Sequence, residues 1–237
     1  MPAPASASAL LDESSLEHME RDGFGIVPGV IPPAQQQKLI LVLGPVASAG
    51  RRGLLADPQV AALAHSPALL ALVRPFLPGA PRPVRAIYFD KSPAANWLVA
   101  WHQDLTLALK ERRETPGFGP WSVKDGIPHV QPPVALLAQM ITVRLHLDDA
   151  DESNGALRVL PRSHKQGRLG AAQIQAMRRE TAEHTCCAKA GDALLMRPLL
   201  LHASGRSSSP SHRRVLHLEY AGFGLPPELA WAEEAPC

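Results

Sequence analysis

At 237 residues, with 46% hydrophobic and 19% charged positions, the chain can bury a sizeable core and is too apolar to be disordered. A formal net charge of +2 without a long basic run, and 5% aromatic residues with no aromatic–basic interleaving, point away from nucleic acid. Cys186, Cys187 and Cys237 form neither a disulfide framework nor the spaced pairs of a zinc site, no apolar stretch reaches the ~18–20 residues of a membrane span, and the N-terminus lacks a signal peptide's basic residues, so a cytoplasmic protein is expected.

In chain order, residues 1–11 read as an Ala/Ser/Pro-rich tail and 12–22 as a helix. Gly23 to Val27 is a short strand ended by Pro28-Gly29, and Pro32-Pro33 opens a helix that runs to Val46. Gly50-Arg51-Arg52-Gly53 is a loop, and residues 58–76 are helical with a restart at Pro67. From residue 84 the character changes to strands: Val84 to Phe89, then Trp97 to His102. Residues 105–133 read as a long irregular Pro/Gly-rich insertion, of the kind that is either a functional lid or disordered, and an active-site lid is expected here. Val134 to Leu147 is mostly apolar, Asn154-Gly155 is a turn into the strand Ala156 to Leu160, and residues 170–183 are helical. Ala193 to His202 reads as one buried strand, and Arg213 to Tyr220 as the last. Helices followed by six or more strands favour a single α+β domain over 1–237, with helices against a β-sandwich or barrel.

The chemistry centres on His102-Gln103-Asp104. Alternation along a strand puts His102 and Asp104 on one face, where both can bind one metal ion. His202 supplies a third ligand, and two histidines with one carboxylate form the facial triad of non-haem Fe(II) oxygenases. Ser204 shares the face of His202, and a Gly/Ser/Pro-rich loop returns the chain to Arg213. A guanidinium beside a hydroxyl suits the distal carboxylate of 2-oxoglutarate. Asn96 has the parity of the metal residues, and Gln139, Thr142 and Arg144 place polar groups in an apolar segment, which suggests an inward polar site. His217 shares the parity of Arg213 and reads as a hydrogen-bonded core histidine.

These residues carry a resemblance. Trp101-His102-Gln103-Asp104, the run Asn154 to His164, Gly191-Asp192, and His202, Ser204 and Arg213 resemble the phytanoyl-CoA dioxygenase family over roughly residues 20–222. The resemblance implies a double-stranded β-helix, a jelly-roll or cupin-like barrel buttressed by N-terminal helices. It implies Fe(II) on His102, Asp104 and His202, and 2-oxoglutarate on Ser204 and Arg213; alignment with the family also brings Arg144 near the co-substrate, and Asn96 and Thr142 are further co-substrate candidates by their parity and polarity. O2 would be the oxidant. Arg162 departs from the family, which often has glycine before Ser-His, and this concerns a turn rather than the chemistry.

The expected activity is hydroxylation of a small molecule with release of succinate and CO2, with Trp121, Lys124 and His129 of the insertion as candidate substrate contacts. The alternatives are desaturation or cyclisation by the same oxidant, or a non-catalytic binding protein retaining the fold. The Ser204/Arg213 clamp argues against a cupin-like isomerase or hydrolase. No nucleic-acid or membrane partner is expected, and the oligomeric state is open.

Overall fold

The computed structural model describes residues 11, 13–46 and 50–233. Most of the expected tail, and Cys237, lie outside them. The N-terminal elements are α1 (Glu13–Asp22), β1 (Phe24–Val27), α2 (Pro33–Leu43), α3 (Pro58–Ala64) and α4 (Pro67–Val73). Prolines open the last three, and Asp57 and Ser66 cap α3 and α4 by accepting from first-turn amides. Two helices over 58–73, rather than one, follow from the Ser66-Pro67 restart. No described helix is long and apolar enough to cross a membrane.

The strands are β2 (Arg82–Lys91), β3 (Val99–His102), β4 (Leu107–Ala108), β5 (Trp121–Lys124), β6 (Ile127–Val130), β7 (Met140–His146), β8 (Leu157–Val159), β9 (His184–Cys186), β10 (Ala193–Met196), β11 (His202–Ser204) and β12 (Arg213–Ala221). Two further helices, α5 (Val134–Leu137) and α6 (Ala171–Glu180), interrupt them. Antiparallel pairing gives a five-stranded sheet, β1-β10-β7-β12-β2, a four-stranded sheet, β3-β11-β8-β9, and a three-stranded sheet, β4-β6-β5.

The register of the five-stranded sheet divides its residues by face. Ala86, Tyr88, Val143, Leu145, Leu195, Leu216, Leu218 and Tyr220 share one buried cluster with Leu39, Leu43, Val60, Leu63, Leu69 and Leu72 of the helices. The Tyr220 hydroxyl donates to Ala64 O at 2.9 Å and pins this layer. The opposite face looks toward the four-stranded sheet. Part of the space between the sheets is filled by Leu157, Val159, Leu194, Met196 and Leu200. The rest is a cavity of about 350 Å³.

Three sequence expectations are corrected. The 105–133 segment is not irregular throughout, because it contains the three-stranded sheet, rooted by Leu107, Leu109, Val130 and Trp231 in an apolar cluster. Its hairpin turns on Asp125-Gly126, both in the left-handed region (φ 51° and 78°), as a two-residue type I′ turn requires. Residues 193–202 are two strands, not one: Pro198 lacks an amide hydrogen, and a turn in which Leu200 N donates to Arg197 O carries the chain from the five-stranded to the four-stranded sheet. Gln139, grouped in the sequence with Thr142 and Arg144, is not on their strand but between α5 and β7, where its amide donates back to Ala135 O at 3.2 Å. Arg162, where glycine was noted as usual, has φ 70°, so the turn does use a conformation glycine would adopt without strain.

Candidate active site

β3 and β11 pair so that His102 stands directly opposite His202, with ring centroids 4.1 Å apart. The next ligand candidate, Asp104, lies just past the end of β3, where its amide donates to Pro198 O at 2.9 Å. One donor atom from each of His102, Asp104 and His202 lies within 4.8 Å of the others. Each imidazole uses Nδ1 on a carbonyl two residues back, His102 on Ala100 O at 2.8 Å and His202 on Leu200 O at 2.9 Å. A carbonyl can only accept, so Nδ1 carries the hydrogen and Nε2 presents a lone pair. Both Nε2 atoms face the carboxylate, at 3.7 Å from Asp104 Oδ1 and Oδ2 respectively. Asp104 Oδ2 is buried without a hydrogen-bond partner.

The protonation states suit a cation. Burial works against the Asp104 charge, but His202, His217, His102 and Arg85 outweigh it and hold the carboxyl well below the usual carboxylate range. Burial pushes the His202 imidazole down to about 4, against the opposing pull of Asp104. A charged carboxylate with an orphaned oxygen and two imidazole Nε2 atoms turned toward it form a donor set that fits Fe(II).

Gln103, between the two ligand candidates, points the other way and ties the loops together. Its amide nitrogen donates to Leu199 O and Gly167 O, both at 2.7 Å, and its oxygen accepts from Leu169 N at 2.8 Å.

The deep end of the cavity is cationic. Arg213 is 2% exposed, and its Nε and Nη1 are buried without partners. Burial and the neighbouring Arg144 push it down to about 9. Arg144 also lines the cavity, packs over Phe89, and donates from Nη1 to His217 Nδ1 at 2.9 Å. That donation leaves His217 with its hydrogen on Nε2, which donates to Glu219 Oε1 at 3.3 Å. Glu219 also pairs with Arg85 at 3.1 Å. Burial alone would raise the Glu219 carboxyl, but Arg85 and His217 hold it below its ordinary range.

Lys91 is a residue the sequence reading missed. It is fully buried opposite Arg213 in the sheet, and its ammonium donates to Ser204 Oγ at 2.8 Å and to Gly205 O. Burial, with Arg213 and Arg144 nearby, lowers it to about 7. Ser204 lines the cavity, but its hydroxyl hydrogen is committed to Gly155 O at 2.7 Å. The missed signal was parity, since Arg85, Ile87, Phe89 and Lys91 alternate along β2 and share the face of Arg213.

The other expected residues divide. Lys124 lines the mouth of the cavity, where Nζ approaches Thr106 Oγ1 at 3.4 Å. Asn96 is not in the lining: its amide holds the backbone of Ser207 with bonds of 2.7 and 2.8 Å, and so shapes the 205–212 loop. Thr142 is buried on β7 with an unpartnered hydroxyl, outside the lining. Trp121 packs with the apolar root of the small sheet near Arg112, and His129 is buried with Nδ1 on Ile127 O. The cavity includes neither. His217, expected as a core histidine, is in its lining.

The family model for phytanoyl-CoA dioxygenase matches residues 19–215. The chain belongs to the phytanoyl-CoA dioxygenase family. It is therefore an Fe(II)/2-oxoglutarate-dependent oxygenase. Solved structures share its fold. AviO1 from Streptomyces viridochromogenes Tue57 is 22% identical with a TM-score of 0.66, over 92% of this chain and 98% of that one. SnoK, a non-haem α-ketoglutarate-dependent carbocyclase from nogalamycin biosynthesis, is 14% identical with a TM-score of 0.69, over 93% and 87%. HygX from Streptomyces hygroscopicus, with nickel and 2-oxoglutarate bound, is 20% identical with a TM-score of 0.63, over 89% and 87%. A comparison with curated protein sequences finds no match. The phytanoyl-CoA dioxygenase family thus accounts for the cofactors, while the substrate rests on this chain's own cavity.

Proposed function

We propose that this oxygenase hydroxylates a small-molecule substrate, with His102, Asp104 and His202 holding Fe(II) and Arg213 and Arg144 receiving 2-oxoglutarate. The observation that carries this reading is the cluster of two Nε2 atoms and one carboxylate within 4.8 Å, open to a cavity whose deep end holds unpartnered guanidinium nitrogens. Two facing antiparallel sheets with the cavity between them support a double-stranded β-helix, in one domain with its buttressing helices.

Bound there, the iron with its co-substrate supplies the oxidising power, releasing succinate and CO2. The protein's own groups position and shield. Arg213 offers its unpaired donors to the distal carboxylate, and its fixed fork favours a planar partner. Lys91, whose charge is disfavoured by burial and the neighbouring arginines, is stabilised in its charged form by an anion docked beside Arg213 and so favours a dianion. Ser204 shapes this end through its bonds to Lys91 and Gly155, since donating to a ligand would cost it the Gly155 bond. The carbonyls of Ala100 and Leu200 fix the tautomers of the histidines. The small sheet of the 105–133 segment overhangs the mouth through Lys124 and serves as a lid that excludes water.

Succinate formation that requires Fe(II), 2-oxoglutarate and a substrate, with one oxygen atom gained by the product, tests the reading. A product that has lost two hydrogens instead would replace hydroxylation with desaturation or ring formation. His102→Ala should abolish stoichiometric iron binding and turnover together. Retention of both would remove the metal assignment.

A further inference from the structure

The cavity lining carries five cationic side chains, Arg52, Arg85, Lys124, Arg144 and Arg213, against two carboxylates, Asp104 and Glu219. Fe(II) and doubly charged 2-oxoglutarate cancel one another, so the loaded site keeps an excess of positive charge. The deep cations face the co-substrate. The remaining three stand toward the mouth, and they differ in how they are satisfied. Arg85 is paired with Glu219, both being about one-tenth exposed. Arg52 is paired with Asp125 at the tip of the β5–β6 hairpin, yet its Nε is buried without a partner. Lys124, one residue before that tip, meets the Thr106 hydroxyl, and among the described residues no carboxylate pairs with it. Thr106 Oγ1 accepts from Lys124, which leaves its own hydrogen to donate.

We propose that Lys124, Thr106 and Arg52 form an anion subsite at the mouth, so that the substrate carries a carboxylate or phosphate group remote from the carbon that reacts. This rests on the oxygenase reading above and adds the substrate's chemical class. Three donors from three segments line the same cavity, the loop after Gly50, the chain just past Asp104, and the hairpin, with Lys124 and Thr106 in direct contact. Burial, together with Arg85 and Arg52, disfavours the Lys124 charge, and an anion would relieve that. The same contact would hold the hairpin over the cavity, because Lys124 lies on β5 and Arg52 already grips Asp125. An acidic group docked at the rim therefore places the rest of the molecule between the lid and the metal.

The test uses the full chain loaded anaerobically with Fe(II) and saturating 2-oxoglutarate, so that the deep cations are occupied. Methyl phosphate and acetate are titrated by calorimetry at constant ionic strength, with trimethyl phosphate as the neutral control. At least one anion should bind, the neutral ester should not, and Lys124→Gln should weaken the anion at least about tenfold, the loss expected for one charge-assisted hydrogen bond. Lys124→Arg should retain binding, and the 2-oxoglutarate Kd should stay within about twofold in both variants. Equal anion binding by wild type and Lys124→Gln, or equal binding of the neutral ester, would overturn the subsite. If 2-oxoglutarate itself fails to bind, it is the co-substrate reading that fails, and the Lys124 comparison is then made in an Arg213→Gln background, where the deep end competes less for the anion. Binding of methyl phosphate without acetate would assign a phosphate ester, and the reverse a carboxylic acid.

Discussion

On the helix-facing side of β2, β7 and β12 stand Tyr88, Val143, Leu145, Leu216 and Leu218, all fully buried. One residue away along the same strands, on the other side, stand Arg85, Lys91, Arg144, His146, Arg213, His217 and Glu219, also buried. Burial is equal and its consequence opposite. The apolar face gains from leaving water, at roughly 25 cal/mol per Å² of apolar surface. The polar face loses its hydration and recovers it only in part, through the bonds joining Arg85, Glu219, His217 and Arg144. Arg213 and both ring nitrogens of His146 recover none from the described residues. One face holds the fold together, and the other is held in place by it.

The sharpest way to separate the faces is to cut one side chain from each on the same strand. Leu218→Ala removes a fully buried side chain from the helix-facing cluster and should cost about 2–5 kcal/mol in chemical denaturation, with 2-oxoglutarate affinity per folded molecule preserved. Arg213→Ala should do the reverse. Its stability loss should be much smaller, because an unpaired buried cation disappears with it. Its 2-oxoglutarate KM should rise at least about tenfold, for loss of charge-assisted bonds of roughly 1.5–3 kcal/mol. Equal destabilisation by the two substitutions would erase the distinction between the faces.

Gln103 tests whether the four-stranded sheet behaves in the same divided way. His102 and Asp104 bring their donor atoms together, while the Gln103 amide bonds to Leu199, Gly167 and Leu169. Gln103→Ala touches no ligand atom, yet it unties the loop carrying Asp104 from the turn before His202. Iron affinity should fall about 10–100-fold, as is typical when a support behind metal ligands is removed. Gln103→Glu keeps the acceptor for Leu169 N but turns a carboxylate oxygen toward the Leu199 and Gly167 carbonyls, so it should lose at least as much as Gln103→Ala. Unchanged iron affinity in Gln103→Ala would show that the strands alone set the ligand geometry.

The legibility of these features in the sequence follows the same division. The helices α2 to α4 were visible because Pro33, Pro58 and Pro67 mark their starts and apolar residues recur at helical spacing. His102, Asp104 and His202 stood out because a metal site is a combination of rare residue types, and the structure brings them together. Lys91 and Arg85 did not stand out, since β2 is buried on both faces and their shared parity gains meaning only once β2 is paired with the strand of Arg213. The hairpin at Asp125-Gly126 did carry a local signal, which prolines and glycines on either side concealed. Asn96 was misplaced for a different reason. Parity was counted through residues 96–98, which are not part of β3, so the count had no pleat to rest on. Register and inter-sheet placement depend on pairings distant in sequence, and no local pattern specifies them.

His146 offers the smallest and most specific probe of the polar face. It sits on β7 two residues from Arg144, is 1% exposed, and has neither ring nitrogen bonded. Burial, then the Arg144 and Arg213 charges, depress its imidazole to about 3. The unfolded chain takes up this proton near pH 6.5, the ordinary histidine value, whereas the folded chain resists it until about pH 3. Between those limits the unfolded state binds more protons, so stability is complete above pH 6.5 and falls as the pH drops through the window. The slope from this one group is on the order of 1 kcal/mol per pH unit. His146→Leu removes the titrating group and fills similar volume, so denaturation midpoints of the variant should fall less steeply between pH 6 and pH 4 than those of the wild type. Parallel slopes would mean that His146 gains a proton acceptor in solution, and that the sheet's polar face is better satisfied than its orphaned nitrogens indicate. Bound 2-oxoglutarate sharpens the test further. An anion beside Arg213 offsets the positive field at His146, so the wild-type slope should become shallower with co-substrate present while that of His146→Leu stays unchanged.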